Sequence, residues 1–105
     1  MAIQSLKKSN EFRHVFSTGN KKTGKYILVY MMPGQQEDNR LGIVIKKEIG
    51  NAVQRNKIKR ILREIWRNSC NKLIIGYDVV ILVRKKIIYA RFSEVETELV
   101  KLIQT

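Results

Sequence analysis

The stretch KKEIGNAVQRNKIKRILREIWR, residues Lys46–Arg67, decides how this chain folds. It contains eight Lys or Arg and two Glu, a net charge of +6, which is half of the +12 carried by the whole sequence. At the 3.6-residue period of an α-helix, its apolar residues fall on one face and its bases on another. The apolar face consists of Ile58, Ile61, Leu62 and Ile65, and the basic face includes Arg55, Lys59, Arg63 and Arg67. The pattern predicts an amphipathic helix from an N-cap at Asn51 to about Asn68.

The basic face of this helix predicts binding to a polyanion. Its bases recur at intervals of four residues, where like charges repel by about 0.2–0.5 kcal/mol per pair. Glu64 is the only acid within the predicted helix and lies at the edge of this face, so most of the repulsion remains. A bound polyanion would supply the missing negative charge. Nucleic acid is the favoured ligand, and an anionic membrane surface is the alternative.

Length and composition are those of a single globular domain spanning residues 1–105. The pI is about 10.2, while 44% of the residues are hydrophobic, which argues against a disordered basic tail. No apolar tract is long enough to span a bilayer, and the first residues do not resemble a signal peptide. We therefore expect no membrane partner. Cys70 is the only cysteine and cannot form an intramolecular disulfide, which favours a cytoplasmic protein.

The segment before the basic helix predicts one short helix. Ser9 is a suitable N-cap and Gly19 a suitable residue just beyond the C-terminus, so the helix would span about residues 10–18. Its apolar residues share one face in the spacing of a core stripe. They are Phe12, Val15 and Phe16. Residues 1–8 are expected to form an irregular arm.

Two apolar runs between these helices predict a β-hairpin. Residues 26–32 are rich in strand-forming side chains and end at the turn signal Pro33–Gly34. Residues 41–45 would form the antiparallel partner strand. Residues 20–24 are polar and are expected to be a connection.

The C-terminal third predicts a buried strand and a last helix. Residues 79–83 are continuously apolar, as in a strand covered on both faces. Ser93 and Glu96 have the spacing of a capping box. The order helix, hairpin, helix, strand, helix indicates an α/β two-layer sandwich with a β-α-β crossover around the basic helix. General rules predict a right-handed crossover.

Few residues could perform catalysis on their own. His14 is the only histidine, and no His/Cys group has the spacing of zinc ligands. Glu94, Glu96 and Glu98 are interpreted as acids that complement the dipole at a helix start, rather than as metal ligands. Cys70 is interpreted as an unreactive thiol, although the bases before it could lower its pKa. The chain by itself is not expected to be a nuclease.

The basic stretch resembles the Arg-Asn-Arg signature of the protein subunit of bacterial ribonuclease P. The resemblance rests on Ile49-Gly50-Asn51-Ala52-Val53 and Arg55-Asn56-Lys57-Ile58-Lys59-Arg60, and it extends from about Leu6 to about Arg84. Two positions depart from the family pattern, with Lys57 replacing Arg and Glu48 replacing a base. The resemblance implies a left-handed crossover, as in the second domain of a small-subunit ribosomal protein.

The resemblance also implies a function. In this family a catalytic RNA subunit hydrolyses precursor tRNA to remove its 5′ leader, with Mg²⁺ held mainly by that RNA, and the protein assists. The implied partners are the catalytic RNA subunit and precursor tRNA, with no obligate protein partner and no tightly bound metal. The implied contacts to the RNA subunit are Lys46, Lys47, Asn51, Arg55, Asn56, Lys57, Lys59, Arg60, Arg63 and Arg67.

A second implied site would hold the single-stranded leader. Phe12, Phe16 and Tyr30 match aromatic positions that line a cleft in the family, whereas periodicity alone suggests that the two Phe residues belong to the core. Aromatic faces stack on unpaired bases with little sequence preference. Basic residues close in sequence could guide the leader phosphates or could be a solvated loop. They are Lys21, Lys22 and Lys25.

Two other classes of protein fit part of the pattern. A ribosomal RNA-binding protein would share the charge, size and architecture but would not need an open aromatic cleft. A metal-dependent nuclease would need carboxylates clustered by the fold. These classes can be distinguished in the structure. Exposed Phe12 and Phe16 would argue against a ribosomal RNA-binding protein, and clustered carboxylates would indicate a nuclease.

Overall fold

The computed structural model of the protein, which describes residues 4–71 and 73–104, is built on a five-stranded sheet. The strands are β1 (Gln4–Ser5), β2 (Asn20–Thr23), β3 (Ile27–Pro33), β4 (Arg40–Val44) and β5 (Tyr77–Val83). The helices are α1 (Ser9–Thr18), α2 (Ala52–Ile65) and α3 (Phe92–Gln104). The mixed α/β fold predicted from the sequence is confirmed.

The central strand is β5, and its position corrects the predicted hairpin. The strand order is β1-β4-β5-β3-β2, so β5 lies between β3 and β4, antiparallel to β3 and parallel to β4. The predicted pairing of residues 26–32 with residues 41–45 is wrong. The physical reason is that β5 is apolar on both faces, with Val79, Val80 and Ile81 fully buried, and such a strand needs a neighbour on each edge.

Both sheet edges use segments for which no strand was predicted. β2 pairs antiparallel with β3 and forms the actual hairpin, in the segment interpreted as a polar connection. β1 pairs parallel with the start of β4, within the segment interpreted as an irregular arm. Met1–Ile3 lie outside the described residues. Both edge strands are short and polar, so the pattern of alternating apolar residues that identifies a strand is missing from them.

Each helix begins at a side-chain cap. Asn51 caps α2 as predicted, since its Oδ1 accepts the N–H of Gln54 and the Gln54 Oε1 accepts the N–H of Asn51, both at 2.9 Å. α1 begins one residue earlier than predicted, at Ser9, because Glu11 accepts the backbone N–H of Lys8 at 3.0 Å.

The start of α3 also differs from the prediction. The cap there is Glu94, which accepts the N–H of Arg91 at 2.9 Å, and not the predicted pair of Ser93 and Glu96. The Glu96 carboxylate instead accepts a hydrogen bond from Ser69 Oγ at 3.4 Å. The helix accordingly begins at Phe92.

The two faces of the sheet are covered unequally. α2 and α3 pack on one face, where the larger core includes Trp66, Leu62 and Leu99. α1 packs on the other face, over a smaller cluster built on Leu6, Val15 and Val80. The chain passes from β4 through α2 to the parallel strand β5, which is the predicted crossover. Its left-handedness stays a prediction.

Glu98 ties α3 to the start of β3. Its carboxylate accepts the backbone N–H groups of Lys25 at 2.6 Å, Tyr26 at 2.8 Å and Ile27 at 3.0 Å. The sequence predicts that Glu94, Glu96 and Glu98 all complement a helix dipole, yet only Glu94 caps the helix. The other two carboxylates bind other elements of the fold.

Arg40 joins both sheet strands β4 and β5 to α1. Its guanidinium donates two hydrogen bonds to the Asp78 carboxylate, at 2.9 and 2.8 Å, and a third to Glu11. Asp78 is 7% exposed, so its charge needs this partner. Hydrogen bonds to Asp78 and Glu11 raise the pKa of Arg40, which keeps it positively charged.

Acid should destabilise the protein through Glu11. Hydrogen bonds from the backbone of Lys8 and Lys7, and then from Arg40, lower the pKa of Glu11 from 4.5 to about 2. Because the folded-state pKa is the lower one, the stabilisation is complete above about pH 4.5 and is lost as the pH falls toward 2. We expect the free energy of unfolding, measured with urea, to decrease across this range.

Glu11→Gln is the control for this prediction, because the amide keeps an acceptor oxygen but does not titrate. Its free energy of unfolding should depend less steeply on pH between about 2 and 4.5 than that of the unmodified protein. Other carboxyls with a lowered pKa, such as Glu94, contribute equally to both proteins. Identical pH dependence in the two proteins would contradict the assignment.

Candidate nucleic-acid interface

The basic face of α2 is turned to solvent. Leu62 and Ile65 are fully buried and hold the helix on the sheet, while Lys57, Arg60 and Arg63 on the other side are exposed. No base of α2 forms an ion pair with another residue among 4–71 and 73–104. Within the part of the chain that the structure describes, the repulsion between neighbouring bases of α2 is therefore not relieved by an ion pair.

An open groove of about 530 Å³ runs along this face. It is lined by Asn56, Lys59, Arg60, Arg63, Glu64, Arg67 and Asn68. Five of the ten predicted contacts to an RNA subunit are thus brought together in one concave surface. Such a surface suits the phosphate backbone of a nucleic acid, because Lys and Arg side chains bind phosphates mainly through charge.

A π-helical turn, Trp66–Cys70, extends the groove beyond α2. The N–H of Asn71 donates to the carbonyl oxygen of Trp66 at 2.8 Å, and this wider turn buries both Trp66 and Cys70. Arg67 stays exposed and lines the groove. Burial, followed by the charge of Glu96, raises the pKa of Cys70 to about 12, so its thiol is unreactive.

A second cavity, of about 640 Å³, lies between α1, the end of β4 and the start of α2. Phe12 and Phe16 line it and are half-buried, so they belong both to the smaller core and to an open cleft. Tyr30 contacts Phe16 edge to face, with the ring centroids 4.8 Å apart. The cleft also contains cations that the sequence did not indicate, Lys7 and Arg13.

Gly42 of β4 allows the Phe12 ring to lie against the sheet. A Cβ at this position would overlap the edge of the ring and would come within 2.8 Å of Phe12 Cζ and 3.2 Å of Leu6 Cδ1. Distances below 3.0 Å force a neighbouring group to move. The absence of a side chain at Gly42 therefore shapes the floor of the cleft.

The groove and the cleft meet at two residues of α2. Asn56 and Lys59 line both cavities, with Phe12 and Phe16 on one side and Arg63 on the other. The two sites predicted separately from the sequence thus form one continuous surface. An extended polyanion could contact basic side chains and aromatic rings of the protein along a single path.

Arg55 lies where α2 faces the cleft, and it carries an unsatisfied donor. Its Nε is buried and has no hydrogen-bond partner among the described residues. A buried N–H without a partner is costly, and a phosphate oxygen in the cleft would satisfy it. The sequence predicted a base here but could not indicate this geometry.

The remaining predicted site residues are dispersed. Lys21 lies on the cleft face of the sheet, opposite Tyr30, whereas Lys22 is paired with Val29 on the other face. The Nζ of Lys25 lies 5.2 Å from the ring centroid of Tyr26, close to α3. Asn51 uses its side chain as the cap of α2. The other two predicted contacts, Lys46 and Lys47, are exposed in the turn before α2.

The family model described as ribonuclease P matches residues 2–105 of this chain. The chain belongs to the ribonuclease P protein family. Ribonuclease P is a tRNA-processing endoribonuclease, and membership in the family of its protein subunit implies an RNA partner. The resemblance recognised at Ile49–Arg60 is thereby confirmed.

Relatives in this family are similar over nearly their whole length. The ribonuclease P protein component of Caldanaerobacter subterraneus subsp. tengcongensis is 38% identical over 102 residues, which cover 97% of this chain and 88% of that protein. The component from Natranaerobius thermophilus is 34% identical over 100 residues, covering 95% and 87% respectively.

Solved ribonuclease P proteins share the fold. The protein from Thermotoga maritima superimposes with a TM-score of 0.87 at 31% identity and covers 96% of both chains. The Staphylococcus aureus protein gives a TM-score of 0.88 at 26% identity, over 98% of this chain and 94% of that one. The five-stranded sheet and three helices described above are therefore those of the ribonuclease P protein family.

Two further properties of the described part of the chain bear on function. None of its helices combines the length and apolarity that a membrane crossing requires. Within residues 4–71 and 73–104, no three His, Cys, Asp or Glu side chains are grouped so that they could share a metal ion.

Proposed function

We propose that this protein binds the catalytic RNA subunit of ribonuclease P through α2 and the 5′ leader of precursor tRNA through the aromatic cleft. The observation that carries this proposal is the continuity of the groove and the cleft at Asn56 and Lys59. A protein with this surface can hold two RNA segments next to each other, and so position a substrate on a catalytic RNA.

The contact with the RNA subunit is supported by the charge of α2. Its bases lack ion-pair partners among the described residues, and three of them, Lys59, Arg60 and Arg63, line one groove. Each phosphate that such a base neutralises adds about 0.7–0.9 to the salt dependence of binding, expressed as the slope of log K against log salt. Binding to the RNA therefore relieves the repulsion within the helix.

The contact with the leader is supported by the half-buried rings of Phe12 and Phe16. Their partial burial fixes the rings, and their cleft sides remain accessible. Stacking contributes roughly 1–3 kcal/mol per base without strong sequence preference, which suits a site that receives many leaders. A ribosomal RNA-binding protein would have no use for such a cleft, and this observation favours the leader-binding function.

We propose further that the RNA subunit carries the hydrolysis and holds most of the Mg²⁺. Several carboxylates of the protein are already committed to its own structure, since Glu11 and Asp78 bind Arg40 and Glu98 binds three backbone N–H groups. This use of the carboxylates within the fold supports the proposal that the RNA supplies most of the metal ligands.

Cleavage of a precursor tRNA at low Mg²⁺ tests this function, with the protein alone, its partner RNA alone and the two mixed. Efficient cleavage at the mature 5′ end by the mixture only is the expected result. If the mixture is no better than the RNA alone, the proposed function fails and a ribosomal RNA-binding role takes its place. Cleavage by the protein alone would indicate an independent nuclease.

Gly42→Ala should weaken binding of the leader. The added methyl group displaces the Phe12 ring, and overpacking of this kind costs about 1–3 kcal/mol of stability. Affinity for precursor tRNA with a leader should fall several-fold, while affinity for tRNA without a leader should not change. Fluorescence anisotropy of the assembled ribonuclease P with the two labelled tRNAs measures both.

The double variant Gly42→Ala, Phe12→Leu separates packing from stacking. The smaller and more flexible Leu side chain leaves room for the methyl group, so stability should recover. Leader affinity should stay low because Leu has no aromatic face to stack on a base. Recovery of leader affinity in this variant would show that Phe12 supports the cleft without contacting RNA.

A further inference from the structure

The segment Arg84–Phe92, RKKIIYARF, is a second basic surface that neither the groove nor the cleft includes. It contains four bases and no acid in nine residues. It also exposes three large apolar side chains, Ile88 at 50%, Tyr89 at 81% and Phe92 at 44%. Single exposed apolar side chains are ordinary, but three of them among four bases on one short segment are a feature to be explained.

The local geometry places cations beside the exposed side chains. Lys85–Tyr89 form a 3-10 helix, in which residues three apart lie on the same side. Lys86 therefore lies in line with Tyr89, and Lys85 with Ile88. The third side carries Ile87, which is only 8% exposed and belongs to the larger core.

The segment is held firmly against the rest of the fold. The backbone N–H of Arg84 donates to the Tyr26 carbonyl oxygen at 2.9 Å, and its guanidinium donates to the Gly24 carbonyl oxygen at 2.7 Å. At the other end, Arg91 N–H donates to the Glu94 cap at 2.9 Å. A surface fixed at both ends loses little conformational freedom when it binds a ligand.

The charge of the surface selects among possible ligands. The 3-10 helix contacts the turn Lys47–Ile49, where Lys46 and Lys47 outnumber the one acid, Glu48, so the region toward α2 stays net positive. A second copy of this chain, at a net charge of +12, would be repelled. A flexible polyanion with aromatic faces matches both the cations and the exposed ring, and single-stranded RNA has this chemistry.

We propose that Tyr89, flanked by Lys86 and Arg91, is a stacking site for an unpaired RNA base, separate from the aromatic cleft. The phenol ring stacks on the base, and the two cations bind the adjacent phosphates. The site goes beyond the proposed function, because it lies outside both surfaces assigned to the RNA subunit and the leader. It would be a third RNA-binding site, in addition to the groove along α2 and the aromatic cleft.

The test is photo-cross-linking of the isolated protein to a short unstructured oligouridine that contains 4-thiouridine, followed by mass spectrometry of the cross-linked peptides. Two cross-linked regions are expected, one with Phe12 and Phe16 and one with Tyr89. Tyr89→Ala should remove the second and leave the first, and Phe16→Ala should weaken the first and leave the second. Tyr89→Phe should preserve both, because a phenyl ring still stacks.

Affinity gives an independent measure. In a background where Phe16→Ala has weakened the cleft, Tyr89→Ala should lower oligouridine affinity by about 5- to 160-fold, the range of one base–aromatic contact. Lys86→Gln should reduce the salt slope by about 0.7. Tyr89 is so exposed that its replacement leaves the core intact, and circular dichroism verifies this.

Three outcomes would overturn the proposal. They are no cross-link within residues 84–92, an unchanged affinity in Tyr89→Ala, or a Tyr89-dependent association with anionic phospholipid vesicles without an oligouridine cross-link. The last result would assign the surface to a membrane. Any of these can occur while the mixed protein and RNA still cleave precursor tRNA, so this proposal and the proposed function fail separately.

Discussion

Replacing Arg60 and Arg63 together by Gln should weaken binding of the ribonuclease P RNA roughly 10- to 30-fold at about 0.15 M salt. Both side chains are exposed and line the groove along α2. If each neutralises one phosphate, the loss of both reduces the slope of log K against log salt by about 1.4–1.8. Fluorescence anisotropy with labelled RNA at several salt concentrations measures affinity and slope together.

A charge-matched control is Lys22→Gln with Lys101→Gln, since these residues line grooves beside α3. This variant has the same net charge but should retain nearly full affinity, because neither of its lysines lines the groove along α2. Equal losses in the two double variants would mean that net charge, and not the groove, determines binding. Normal affinity in the Arg60 and Arg63 variant would refute the assignment of α2.

Trp66→Ala should cost about 3–5 kcal/mol of stability, a large part of the roughly 5–15 kcal/mol available to a domain of this kind. Trp66 is 1% exposed and is the largest of the fully buried side chains. It packs where the π-helical turn meets α3, in the same cluster as Leu62 and Leu99. The cavity left by the indole cannot be filled by rotation of one neighbour, so most of the cost remains.

Urea unfolding followed by circular dichroism measures this loss. Tryptophan fluorescence cannot be used, because the variant lacks the only tryptophan of the sequence. Val53→Ala on α2, the helix that precedes this turn, is the control, because Val53 is 77% exposed and its truncation should change stability by no more than about 0.5 kcal/mol. A loss below about 1 kcal/mol for Trp66→Ala would contradict the role given to this side chain.

The helices and strands were predictable from the sequence where the spacing of apolar residues matches the faces that are buried in the structure. α2 has a clear helical period and a matching N-cap, and the apolar run of β5 indicates a strand buried on both faces. The partners of β5 were not predictable, because β3 and β4 are adjacent in sequence and a hairpin is the simplest arrangement of two such strands. The insertion of β5 between them depends on packing far along the chain.

The candidate site was predictable in residue type but not in arrangement. Spacing along a helix places Lys59 and Arg63 on one face, whatever the fold. That Asn56 and Lys59 border two cavities, or that Lys22 faces away from Tyr30, depends on strand register and on the position of α1. The Glu98 carboxylate of α3 binds a backbone N–H group at the start of β3, and no local sequence pattern predicts such a long-range contact.

The central position of β5 has a consequence for biosynthesis. Because the chain emerges from the ribosome in order, β3 and β4 are both made before the strand that joins them. Until Tyr77–Val83 have been synthesised, the nascent chain can form the β2–β3 hairpin but not the complete sheet. A 14-residue helix such as α2, with mutually repelling bases, is only marginally stable alone. We therefore expect the nascent chain to gain affinity for RNA late, after β5 has left the exit tunnel.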